Sequence, residues 1–281
     1  MEEYEMADLM KLQNGSDIRG IACEGVAGEA VNLTGEAGNL IGGGFVRWLA
    51  DKKGKSPDAL RIGIGHDSRI TADSLFAAAA KGIVAAGAKV YDCGLVSTPS
   101  MFMTTVFEEF AFDGAIMITA SHLPFNRNGY KFFDRDGGLE HDDITKILET
   151  ASGLTEVDAD LSGVEKVDSI SVYCRFLQEK IKKSINAVSY DKPLAGLHIV
   201  VDTGNGAGGF FVEKVLNPLG ADTSGSQFLE PDGHFPNHIP NPENKQAMEA
   251  IRQAVLTNKA DLGIIFDTDV DRMSAVLPDG T

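Results

Sequence analysis

RIGIGHDSRITADSLFAAAAKGIVAAGAKVYDCG, residues 61–94, decides how the chain folds. RIGIG is a short run with β-branched residues and reads as a strand. The alanine-rich SLFAAAAKGIVAAGA, 74 to 88, has the composition of a helix, and KVYDCG returns to a strand. A strand, a helix and a strand in this order form a βαβ unit, whose strands run parallel because the helix carries the chain back.

The rhythm continues in both directions along the chain. TPSMFMTTVFEEF, 98 to 110, opens on Thr98 and Pro99 as a helix start, and DGAIMIT, 113 to 119, is a buried strand. A polar, glycine-containing stretch at 151 to 165 precedes an amphipathic helix, SISVYCRFLQEKIKKSI, 169 to 185, with a lysine-rich outer face. A second α/β run follows: GLHIVVD (196 to 202) as a strand, TGNGAGG turning into a helix as far as Leu219, and PENKQAMEAIRQAVLTNK (242 to 259) as another helix. ADLGIIF (260 to 266) is then a strand, and RMSAVL (272 to 277) pairs back on it as a hairpin. The expected fold is α/β: two tandem three-layer domains, residues 1–163 and 164–281, with mixed, mainly parallel sheets covered by helices. The closing PDGT reads as a turn, as if the chain were cut between domains.

With 281 residues, 43% of them hydrophobic and 23% charged, the chain has material for about two globular domains. A net charge of −16 and no basic cluster exclude a nucleic-acid surface. They do not exclude an anionic substrate, which needs only local cations or backbone N–H groups. Cys23, Cys93 and Cys174 lie far apart, with no CxxC pair, and read as buried thiols in a reducing compartment. No apolar run approaches the roughly 18 residues of a membrane span, and the acidic N-terminus lacks a signal-peptide pattern. The expectation is a soluble, cytoplasmic protein with no membrane partner, the plastid stroma also fitting; oligomeric state is not readable.

Two segments carry chemistry. In TASHLPFNRNGYKFF, 119 to 133, a buried strand ends in Thr, Ala, Ser and His before a loop rich in Asn, Pro and Gly; α/β proteins build sites at this end of a strand. A hydrolase triad fits poorly: Ser121 and His122, adjacent on an extended segment, would point to opposite sides, and no G-x-S-x-G elbow is present. In FDTDVDR, 266 to 272, Asp267, Asp269 and Asp271 alternate directly after a strand. In a tight loop such carboxylates converge, and three hard oxygen ligands suit Mg2+. An EF-hand is ruled out, because Arg272 and Pro278 stand where its glycine and glutamate belong. VDTGNGAGG lacks the full dinucleotide-binding spacing and reads as a helix-start turn.

Together, TASHLPFNRNGYK and DTDVDR resemble the active-site serine loop and the metal loop of the α-D-phosphohexomutases, the phosphoglucomutase/phosphomannomutase family, in that family's order. SDIRG (16 to 20), GHDSR (65 to 69), STP (97 to 99), VDTGNGAGG and HFPNHIPNPE (234 to 243) extend the likeness over most of the chain. The resemblance implies that Ser121 carries a phosphoryl group and that Mg2+ lies between its phosphate and Asp267, Asp269 and Asp271. It further implies a phosphorylated hexose as substrate, a hexose 1,6-bisphosphate as activator, and chemistry in an interdomain cleft.

Lys131 matches the family's proton-exchanging lysine, although a surface lysine is its plain alternative. His122 either assists the phosphate or is structural. Arg19 and Arg272 can add charge-assisted hydrogen bonds, and Arg69 either reaches phosphate or pairs with Asp67 in its turn. Leu123 departs from the commoner TASHNP form. The family has four domains, and its sugar-recognition and phosphate-gripping loops lie in the last two. The expected chain is therefore a truncated form of little or no activity alone. Two alternatives remain at this stage: a haloacid-dehalogenase-like phosphatase or phosphotransferase with Asp267 as nucleophile, and a non-catalytic truncated isoform.

Overall fold

The computed structural model describes residues 8–281; the first residues of the acidic N-terminus lie outside them. The described residues form two compact units. The first comprises the chain up to His66, Thr71–Gly94 and Met101–Val167. The second comprises Asp67–Ile70, Leu95–Ser100 and Asp168–Thr281. The short exchanges at 67–70 and 95–100 leave no mark in composition or periodicity.

In the first unit the elements are β1 (Gln13–Asn14), β2 (Asp17–Ile21), α1 (Gly35–Lys53), β3 (Arg61–His66), α2 (Ala72–Ala85) and β4 (Lys89–Leu95). They continue with α3 (Thr98–Val106), whose first residues belong to the second unit, then β5 (Gly114–Ile118), β6 (Arg127–Asp134), β7 (Gly137–Gly138), α4 (His141–Ser152) and β8 (Glu165–Lys166). The sheet order is β1-β2-β6-β5-β3-β4-β8, with β7 beside β6. It is mixed: β3 and β5 are parallel, whereas β6 runs antiparallel to both β5 and β2.

Pleat alternation sorts the sheet into two faces. Ile18, Ile62, Ile64, Ile116, Ile118, Tyr130 and Phe132 bury one face in a core shared with α1, α2 and α4. On the other face Phe133 meets Phe102 of α3, with ring centroids 6.2 Å apart. The result is three layers, as expected from the sequence.

The second unit repeats this plan on a smaller scale with α5 (Ser169–Ser184), β9 (Ile199–Asp202), α6 (Lys245–Asn258), β10 (Leu262–Phe266) and β11 (Met273–Val276). β10 lies between a parallel β9 and an antiparallel β11, so the expected hairpin is present. Val201, Ile264 and Phe266 face α5 through Cys174, while Val200 and Ile265 face α6 through Ile251 and Val255.

Two expectations need correction. The composition after the serine suggests a loop beyond a strand, but residues 127–134 form β6, and the loop is the short connection from 119 to 126. Asn and Gly suggested a loop, while the period-two burial of Asn128, Tyr130, Phe132 and Asp134 reveals the strand. The helix expected after TGNGAGG shrinks to a π-helical turn at Val212–Leu216, with Asn217 N–H donating to Val212 O at 3.0 Å. Glycine, β-branched and aromatic residues there are poor at sustaining a longer helix.

α1 and α2 cross at very close range. A Cβ at Gly82 would overlap the Asn39 carbonyl oxygen, and one at Gly42 the Ala79 carbonyl oxygen. Gly82→Ala should therefore force the helices apart and destabilise the chain by about 1–3 kcal/mol. Urea unfolding would show this as a lower midpoint; an unchanged midpoint would mean that the crossing is not under this constraint.

Candidate active site

Ser121 follows the carboxyl end of β5 with φ 51°, in the left-handed region, and is buried. Its N–H donates to Thr119 Oγ1 at 2.8 Å, and Leu123 N–H donates to Ala120 O at 3.1 Å, so the turn is closed on itself. The segment is thus not extended, which corrects the premise that Ser121 and His122 point apart. Ser121 Oγ lies 3.5 Å from His122 Nδ1, at the outer limit of a hydrogen bond.

The far side of this loop is strapped down. Asn126 O accepts from Ala22 and Cys23 N–H, and Asn126 Nδ2 and Arg127 each reach Glu29 at 2.7 Å. The Asn126 hydrogen bond, joined by Arg127, holds Glu29 below its ordinary value despite partial desolvation. Sequence reasoning did not single out Glu29, Thr119 or Asn126.

Arg19 on β2 pairs with Gly129 of β6, whose carbonyl also accepts from Thr119 N–H. Lys131, half-buried and opposite Met117, lies two residues further along β6 on the same sheet face as Arg19. Register thus places Arg19 and Lys131 on one sheet face and ties Gly129, opposite Arg19, to the start of the Ser121 turn through Thr119. Arg19 is oriented by Asp17 at 2.8 Å.

In the second unit, β10 delivers Asp267, Asp269 and Asp271 into a loop that turns at Val270, φ 61°. One ligand oxygen from each lies within 4.8 Å of the others; Asp267 and Asp269 are buried and Asp271 is exposed. Arg272 grips Asp267 Oδ2 at 2.8 and 3.1 Å, while the N–H groups of Asp271 and Arg272 donate to Oδ1, each at 3.1 Å. Even so, burial and then the charges of Asp269 and Asp271 push Asp267 up to about 8. Carboxylates that raise one another in this way are short of positive charge, and a hard divalent cation fits such a donor set.

Two other segments brace this loop. Ala207 N–H of the glycine turn donates to Thr268 O at 2.8 Å, and a Cβ at Gly206 would lie 2.7 Å from that oxygen. VDTGNGAGG is thus a seat for the aspartate loop. Thr98, noted in the sequence only as part of STP, donates its N–H to Asp269 O at 2.8 Å and its hydroxyl to Asp269 Oδ2 at 2.6 Å.

The glycine turn is itself locked by a buried pair. His238 Nε2 lies 3.0 and 3.1 Å from the Asp202 oxygens, and its Nδ1 lies 3.0 Å from Ile239 O. Both ring nitrogens face acceptors, which favours the protonated ring. Burial alone would lower the His238 pKa, but the hydrogen bond and charge of Asp202 prevail and raise it. Arg69 is fully buried against Asp67 at 3.3 Å, with Phe235 at 5.3 Å from its guanidinium carbon. Of the two roles expected for it, the turn-pairing one has its partners in place.

The geometry is matched by kinship. Residues 10–157 match the model of phosphoglucomutase/phosphomannomutase alpha/beta/alpha domain I, and residues 172–280 that of domain II. The chain belongs to the phosphoglucomutase/phosphomannomutase family. A phosphoglucomutase of Neisseria gonorrhoeae is 31% identical over 94% of this chain and 52% of its own length. A phosphomannomutase of Escherichia coli is 32% identical over 87% of the chain and 54% of its own length. A probable phosphoglucosamine mutase of Methanocella arvoryzae is 35% identical over 87% and 54%.

Among solved structures, a phosphoglucomutase/phosphomannomutase family protein from Burkholderia thailandensis aligns with TM-score 0.77 and 26% identity over 98% of this chain and 56% of that one. The chain spans about half the length of the curated relatives it matches. This membership removes the ground for reading Asp267 as a dehalogenase-like nucleophile, and the Asp267 carboxylate is already engaged by Arg272 and two backbone N–H groups.

Asp267 in the cation-free protein is raised above the ordinary aspartate value of about 3.9. Its contribution to stability is therefore full below that value and is lost as pH rises towards about 8. A bound cation favours the ionised form, so Mg2+ added after EDTA should raise Tm more at pH 8 than at pH 5.5. Equal responses, or none, in a thermal-shift series would refute this. His238 is also raised, so its pair with Asp202 stabilises fully below about 6.5 and the benefit fades as pH rises through the folded value. His238→Gln should remove that step from the stability–pH curve, and a persisting step would assign it elsewhere.

Proposed function

We propose that this chain provides the phosphoserine and metal apparatus for Mg2+-dependent interconversion of hexose 1-phosphate and hexose 6-phosphate. In this reading residues 1–163 form the domain that carries the serine and residues 164–281 the domain that carries the aspartate loop. The observation that carries the proposal is the pairing, in one family chain, of a serine held in a closed left-handed turn with three convergent aspartates. The relatives are named for glucose, mannose and glucosamine phosphates. What these substrates share is a phosphorylated hexose, and that class is the proposed substrate here.

Phosphoryl transfer requires positioning and neutralisation of the charge on the transferred oxygens more than covalent help from the protein. Ser121 accepts and returns the phosphoryl group through Oγ, with a hexose 1,6-bisphosphate as the activating donor. Arg19 and His122 hold phosphoryl oxygens beside it. Lys131 exchanges a proton with the attacking sugar hydroxyl. Asp267, Asp269 and Asp271 would hold Mg2+, and the ion would supply charge neutralisation. Arg272 fixes the Asp267 carboxylate at 2.8 Å and adds positive charge for substrate phosphate. Cys23, Cys93 and Cys174 form no disulfide, which fits the reducing cytoplasm or stroma. No helix among the described residues is long and apolar enough to cross a membrane.

The test is a phosphopeptide mass spectrum of the chain after incubation with Mg2+ and glucose 1,6-bisphosphate, with Ser121→Ala and Asp269→Ala alongside. Phosphate is expected on Ser121 and is lost in both variants. Phosphate on another residue, or undiminished labelling in Asp269→Ala, would overturn the assignment.

A further inference from the structure

The start of α3 is capped in a way that leaves one hydroxyl over. Ser97 and Ser100 form a reciprocal pair: Ser100 N–H donates to Ser97 Oγ at 3.3 Å, and Ser97 N–H donates to Ser100 Oγ at 3.1 Å. This is the logic of a capping box with serine at both positions, and it satisfies helix-terminal donors without help from Thr98. Thr98 is the first residue of the helix, where an N–H has no partner within the helix. Both of its polar groups turn outward instead, the N–H to Asp269 O and the hydroxyl to Asp269 Oδ2.

Asp269 is fully buried and is the middle aspartate of the convergent set. A buried carboxylate in a loop can rotate about its side-chain torsions unless a donor fixes it, and donors of this kind tune how well a carboxylate binds metal. The hydroxyl bond is short, at 2.6 Å. With the backbone bond at 2.8 Å beside it, Asp269 is held at both its main chain and its carboxylate by a single residue.

We propose that Thr98 is a positioning residue that presents the Asp269 carboxylate to the divalent cation. This rests on the reading of Asp267, Asp269 and Asp271 as the cation site. The serine–serine cap anchors the helix start, Thr98 anchors Asp269 to it, and the glycine turn supports Thr268 next to it in the chain. In this role Thr98 acts through Asp269.

The test is Mn2+ binding to this chain, followed by electron paramagnetic resonance of the free ion, for wild type, Thr98→Val, Thr98→Ser and Asp269→Ala, with circular dichroism of each. Val keeps the branched shape and removes the donor, whereas Ser keeps the donor and removes a methyl group. Thr98→Val should weaken Mn2+ binding about 10–100-fold, while Thr98→Ser should stay within about 3-fold of wild type, since its hydroxyl still meets Asp269. Wild-type affinity in Thr98→Val, or equal losses in both Thr98 variants, would overturn the proposal. Wild-type binding no tighter than that of Asp269→Ala would instead overturn the cation site itself, and the role of Thr98 with it.

Discussion

Carboxylates gathered within 4.8 Å at the end of a buried strand repel one another, and the partners of the aspartate loop answer that repulsion. Bringing a charge out of water and beside like charges is costly unless partners compensate it. Arg272 and two backbone N–H groups serve Asp267, and Thr98 serves Asp269. The glycine turn packs too closely on Thr268 for any side chain at Gly206, and the His238–Asp202 pair locks that turn. These partners leave Asp267 still pushed towards neutrality, so the loop is built for a positive charge that the polypeptide alone does not fully supply.

The first unit holds Ser121 off the regular path of its strand. A serine on a regular strand would have its backbone tied into the sheet ladder and its side chain fixed by the pleat. The left-handed residue at position 121 takes the chain off that path, and Thr119 closes the turn from within. Because β6 returns directly beside β5, Arg19 and Lys131 are carried to the same strand end by register alone. Both units thus place a polar loop, one with Ser121 and one with the three aspartates, just beyond the carboxyl end of a strand, where α/β architecture leaves backbone groups and side chains accessible.

Much of this was legible from residue patterns. The βαβ unit at 61–94, the helix at 169 to 185, the strand leading into the aspartates and the hairpin after them all follow from periodicity and composition. What escaped were features without a local signature. β6 was masked by Asn and Gly. The π-helical turn at Val212–Leu216 looked like an ordinary helix start. The strap from Glu29 joins residues almost a hundred positions apart, and the bond from Thr98 to Asp269 spans 171. The burial of Arg69 beside Asp67 likewise has no local signature.

The sequence by itself determined the fold class, the family and the order of the serine and aspartate loops. These are written in local patterns: hydrophobic period, glycine turns, and carboxylates spaced two apart. Only the tertiary structure decided that Ser121 sits in a left-handed turn beside His122, that burial and like charges raise Asp267 and that Thr98 reaches Asp269. Conformation at a turn, desolvation and long-range hydrogen bonds depend on which distant segments fold against a residue, and no window along the chain contains that information.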